Sequence, residues 1–153
     1  MPSKVYFGSA KQARLEAKES LPAKLDIILE HLELRERVEN ETVVIKMHTG
    51  NNIGYSTVHP VFVRKIVQAV LEGKGKPYIV DVPWDVNGAE TRGYSPEVIG
   101  CPIYPAAGPK EKYCYSHHYP YKNIQKWKVA GLVQDATFLI NLAHVKGHPS
   151  CGF

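Results

Sequence analysis

Apolar positions along the chain fall into two periods. Thr42 to Met47 (TVVIKM), Pro77 to Val82 (PYIVDV) and Thr137 to Leu142 (TFLINL) are short runs rich in β-formers, and each predicts a strand. Between and before them the spacing becomes helical. Leu21, Leu25, Ile28, Leu29 and Leu32 make one apolar stripe, with Ser20 and Pro22 marking its start. Lys24, Glu30, His31 and Glu33 fall on the opposite face, so His31 reads as a solvated surface histidine. Phe62, Val63, Ile66, Val67, Val70 and Leu71 make a second stripe. It is preceded by Ser56, Thr57 and His59 as possible caps, with Pro60 at the first helical position, and it is stopped by Gly73 and Gly75.

The remaining segments are less regular. Lys4 to Gly8 reads as extended, and a helical region is expected from about Lys11. Ala89 to Gly100 is partly helical around Ser95-Pro96-Glu97. Cys101 to Pro120, with Pro102, Pro105, Pro109, several tyrosines and His117-His118, reads as a surface excursion or lid that contacts a partner. Ala130 to Ala136 forms a short helix or turn before the last strand. Strand, helix and strand in alternation predict an α/β fold: a mostly parallel sheet flanked by helices, built from Rossmann-like βαβ units. With no internal repeat or linker, residues 1–153 are expected to form a single domain.

Composition narrows the function classes. The 153 residues are 44% hydrophobic and 22% charged, enough for a packed core. A net charge of +4 with acidic and basic residues interspersed gives no nucleic-acid footprint. No apolar run approaches the ~20 residues needed to span a bilayer, and the N-terminal MPSKVYFGSAKQ has no signal-like apolar region. A cytoplasmic location with no membrane association is therefore expected. Cys101, Cys114 and Cys151 form no C-x-x-C pair, which argues against a cysteine-ligated iron–sulfur cluster, zinc ribbon or disulfide framework within the chain.

The chemistry-bearing residues gather where the strands end. The first strand delivers Lys46 and His48 into Thr49-Gly50-Asn51-Asn52-Ile53-Gly54, a loop of small donors suited to an anion, or a plain polar turn. The second ends in Asp81, able to orient a histidine, hold a cation, accept from a ribose hydroxyl or cap the loop, with Asp85 following as a turn aspartate. The last empties into His144, Lys146, His148 and Cys151. His144, Lys146 and His148 are the catalytic candidates, suited to proton transfer and carboxylate binding. Lys46, His48, Thr49, Gly50 and Asp81 are the ligand-binding candidates. His144, His148 and Cys151 could also ligate a metal, although Gly147 and Pro149 disfavour the helix that would align them.

Four stretches together carry a resemblance: VVIKMHTG at Val43 to Gly50, IVDVP at Ile79 to Pro83, ETRGY at Glu90 to Tyr94, and INLAHVKGHPSCGF at Ile140 to Phe153. They resemble the family called domain of unknown function 362, across nearly the whole chain. The resemblance implies a cytoplasmic α/β protein, and relatives that often carry four-iron, four-sulfur clusters in a ferredoxin-like module elsewhere. It places Lys46, His144, Lys146 and His148 at the matching polar positions. In that family the His-Lys-Gly-His stretch continues into Gly-Gly-Ala-x-Lys-Asn-Leu and a second half. The chain is accordingly expected to be the N-terminal part of a longer family domain. Two functions follow as expectations. One is a redox-linked enzyme, or enzyme half, binding a small anionic ligand at the carboxyl edge of the sheet. The other is a non-catalytic electron-transfer or assembly module that self-associates as a homo-oligomer or binds a partner protein.

Overall fold

The structure is a computed structural model in which residues 3–148 and Gly152 are described. Helix α1 (Leu21–His31) starts on Ser20, whose Oγ accepts from Ala23 N, with Pro22 in the first turn. A short helix α2 (Leu34–Arg37) leads into strand β1 (Thr42–Met47). Helix α3 (Pro60–Glu72) has His59 as its N-cap and Gly73 at its end, and returns the chain to strand β2 (Lys76–Asp81). Three short helical turns follow, two of them α-helical: α4 (Pro83–Val86) and α5 (Pro96–Ile99). Strand β3 (Ile103–Pro105), a hairpin of β4 (Cys114–His117) and β5 (Trp127–Ala130), α6 (Gly131–Gln134) and strand β6 (Phe138–Leu142) complete the order.

The main sheet runs β3-β2-β1-β6 with every neighbouring pair parallel, flanked by helices, so the fold is α/β. Register fixes which residues share a face. Val44 pairs with Tyr78 and Leu139, and Lys46 with Val80 and Asn141. The opposite face carries Val43, Ile45, Met47 and Ile79, which pack with Val63, Ile66, Val67 and Val70 of α3 into the main core. Val44 and Val80 are also fully buried, as central parallel strands covered on both sides require. On their side Tyr78 OH donates to Leu132 O of α6, and Tyr78 packs on Tyr104 of β3.

Three expectations change. No helix begins near Lys11; the first helical turn is a 3₁₀ turn at Ala17–Glu19. Residues 11–16 offer no apolar stripe, and Leu15 lies fully exposed, so helix propensity has no packing to hold it. His31 is exposed as expected, yet its ring stacks on Tyr6 at 5.3 Å between centroids. The proline- and tyrosine-rich excursion is not a plain loop, since it contributes edge strand β3 and strand β4, which pairs with β5 beyond it. Pro105 can close β3 because an edge strand needs no donor on its open side. No helix among the described residues is long and apolar enough to cross a membrane.

Candidate functional site

Parallel register brings the carboxyl ends of β1, β2 and β6 to one edge. The chain moves from β1 outward to β2 and β3, then crosses back to place β6 on the other side of β1. Strand order therefore reverses beside β1, and the crevice outside that point is where open α/β sheets take ligands. A cleft of about 560 Å³ opens there. Its polar lining is Lys46 of β1 and His48 just past it, Asp81 at the end of β2, Asp85 in α4, and His144, Lys146 and His148 from beyond β6. Val82, Trp84, Leu142 and Ala143 supply apolar wall.

One side of the cleft is held by a dense set of hydrogen bonds. Asp81 is only 6% exposed. Its Oδ2 accepts from Thr49 N at 2.7 Å and lies 3.1 Å from Thr49 Oγ1, which also reaches Asp85 O at 2.7 Å. Asn51 then donates from its backbone to Asp85 O and from its side chain to Trp84 O, each at 2.7 Å. Arg92 closes the arrangement: Nη1 donates to Thr49 O at 2.7 Å and Asn51 O at 3.1 Å, and Nη2 to Thr57 Oγ1 at 2.6 Å. Tyr94 OH donates to Val58 O and lies 2.8 Å from Thr57 Oγ1. Gly50 sits at φ +74°, and its carbonyl accepts from Gly54 N at 2.7 Å. A Cβ on Gly54 would lie 2.4 Å from that carbonyl oxygen. Glycine is therefore required at both ends of this tight loop.

His48 Nδ1 stands 3.6 Å from Asp81 Oδ2 and 3.4 Å from Asp85 Oδ2. Burial, and next the neighbouring Asp81 charge, hold the Asp85 carboxyl above the usual carboxylate range; His48, Lys146 and Lys46 oppose this. Across the cleft the lining is more exposed. His144 and His148 are exposed and Lys146 half-buried, while His148 exchanges backbone bonds with Gly152. Burial pushes the Cys101 thiol up to about 12, which leaves it a core residue and no nucleophile at neutral pH.

The structure thus brings together six of the candidates from sequence: Lys46, His48, Asp81, His144, Lys146 and His148. Thr49 and Gly50 lie behind the lining, where Thr49 holds Asp81 in place. Of the residues with metal-ligating potential, Cys151 lies outside the described residues. Among the described residues the group with ligand atoms within 4.8 Å of one another is His48, Asp81 and Asp85, without His144 or His148. Asp85 is more than a turn aspartate, because it lines the cleft. From sequence, Thr57 reads only as a possible cap and Arg92 only as part of a family stretch, and their roles behind the cleft are missed. A guanidinium satisfied by backbone carbonyls far away in sequence leaves no local pattern.

Neither a curated protein nor a solved structure matches the chain. A family model does match, over residues 43–153, which takes in β1 to β6 and every residue lining the cleft. The chain belongs to the family described as domain of unknown function DUF362.

Proposed function

We propose that the carboxyl-edge cleft binds a small anionic molecule and carries acid–base chemistry on it. Convergence is what supports this reading: residues from three separate segments line one cavity at the point where strand order reverses. Lys46 and Lys146 are point charges for a carboxylate or phosphate. His144 and His148, exposed on the facing segment, are placed to take and return a proton. Trp84 and Leu142 give the cavity an apolar floor for the remainder of the ligand. In this reading the protein is a redox-linked enzyme, or half of one, in the cytoplasm, with its electron carrier outside the chain as in cluster-bearing relatives. Isothermal titration against a panel of small carboxylates and phosphates is the test. Binding should occur for some of them, and Lys46→Ala with Lys146→Ala should weaken it by about tenfold or more. A panel with no binder, or binding indifferent to both lysines, would sink the proposal.

A second reading, a module that associates with a second copy of itself, has one observation in its favour. Leu139, on open edge strand β6, is 53% exposed, and a groove lined by Leu21, Leu25, Ile28, Phe62 and Leu142 lies beside that strand. Exposed edges with apolar neighbours favour pairing. Light scattering that reports a monomer at all concentrations would exclude it.

A further inference from the structure

We propose that His48 Nδ1, Asp81 and Asp85 form a site for a divalent first-row cation such as Zn²⁺ or Mn²⁺, with its open coordination positions facing the cleft. The proposal rests on the reading of that cleft as a ligand site and specifies how an anion is held there.

Spacing is the first argument. Three ligand atoms, one from each residue, lie within 4.8 Å of one another, and the imidazole nitrogen is 3.4 and 3.6 Å from the two carboxylate oxygens. Ligands held about 2.0–2.2 Å from one ion stand roughly 3.0–3.5 Å apart in octahedral or tetrahedral geometry. The two separations from the imidazole nitrogen therefore need only tenths of an ångström of adjustment. A nitrogen with two carboxylates suits Zn²⁺ or Mn²⁺ better than Ca²⁺ or Mg²⁺, which favour all-oxygen shells.

Charge is the second argument. Asp81 and Asp85 share a single ion-pair partner among the described residues, the His48 imidazole. One imidazole, even protonated, cannot balance two carboxylates, one of them 6% exposed. A dication neutralises the pair and leaves Lys46 and Lys146 free to hold an anion.

Support around the ligands is the third. Metal-binding carboxylates are usually fixed by hydrogen bonds of their own. The hydrogen-bond contacts to Asp81 from Thr49 N and Thr49 Oγ1 both fall on Oδ2, and Arg92 in turn holds Thr49 O. These contacts fix the oxygen that faces His48. Three protein ligands leave positions for water or an anion, the arrangement of a working metal site and not a sealed structural one.

The experiment is isothermal titration of the chelator-treated chain with ZnCl₂ alone, repeated with Mn²⁺ by electron paramagnetic resonance. One ion per chain is expected, with His48→Ala and Asp85→Asn each weakening it at least tenfold. Both variants leave the Thr49–Asp81 bonds intact, and circular dichroism confirms their folding. Lys46→Ala with Lys146→Ala should retain the ion. No binding by the native chain would overturn the proposal, and so would binding unchanged in both His48→Ala and Asp85→Asn. Loss on His144→Ala with retention in His48→Ala would also overturn it. Because the metal is titrated without any anion, a bound ion with no carboxylate or phosphate binder leaves this site standing and removes only the broader reading.

Discussion

The two walls of the cleft are built differently. The wall made by residues 48–57 and 81–94 is tied together before any ligand arrives. Asp81 holds Thr49, Asn51 holds the Trp84 and Asp85 carbonyls, and Arg92 holds Thr49, Asn51 and Thr57. The facing wall, beyond β6, presents His144, Lys146 and His148 from a segment whose backbone bonds, among the described residues beyond β6, join His148 to Gly152. Val145 within it is 79% exposed. The first wall sets geometry, and its substitutions should be felt as lost stability. In the proposed function the second supplies the reactive groups, and its substitutions should be felt in binding alone.

The strongest way to break that contrast is at Asp81. Asp81→Ala leaves Thr49 N–H buried without its acceptor and frees the loop from β2. Losing a buried, charge-assisted partner costs about 2–4 kcal/mol. Urea denaturation should show a lowered midpoint with an unchanged slope. A loss under ~1 kcal/mol would mean that the wall is held some other way.

Glycine substitutions give a sharper and smaller comparison. Gly54→Ala pushes a Cβ to 2.4 Å from Gly50 O, a backbone atom that can yield only by opening the loop. A cost of about 2 kcal/mol is expected. Gly147→Ala on the other wall meets, among the described residues, nothing nearer than Gly152 O at 3.6 Å, an ordinary contact. Its effect on the melting midpoint should lie within about 0.5 kcal/mol of zero. Arg92→Lys falls between them, at about 1–2 kcal/mol, because an ammonium cannot reach two carbonyls and a hydroxyl at once from a fixed plane.

Much of this was legible in the sequence, and the exceptions have physical causes. Short runs rich in β-formers located β1, β2 and β6, and Pro60 with Gly73 located both ends of α3, because those signals are local. The convergence of Lys46, Asp81 and His144 followed from strand ends alone, since parallel strands must finish at one edge. Strand β3 and the β4–β5 hairpin were hidden. A three-residue edge strand ending in Pro105, and polar strands such as Cys114–His117, carry no periodic apolar signal. The roles of Arg92 and Thr49 were hidden for another reason. Arg92 holds a backbone carbonyl 43 positions away and Thr49 a carboxylate 32 away, a dependence on tertiary structure that no local spacing encodes.

The finest test of the contrast lies on the second wall. His144→Ala, Lys146→Ala and His148→Ala remove side chains that are exposed or half-buried, from a segment whose described residues contribute nothing to the main core. Surface substitutions of this kind stay within about 0.5 kcal/mol of native stability. If the first wall sets geometry and the second supplies chemistry, each variant should melt with the native chain. Lys146→Ala should then lose about tenfold in affinity for the anion that the native cleft selects. The two histidine variants should retain binding while losing proton transfer, which appears as a flattened pH profile in any reaction the cleft supports. Thermal melts beside the same titration report both quantities on one sample. A histidine variant that unfolds early would show that the second wall is structural too, and the division between the walls would fall.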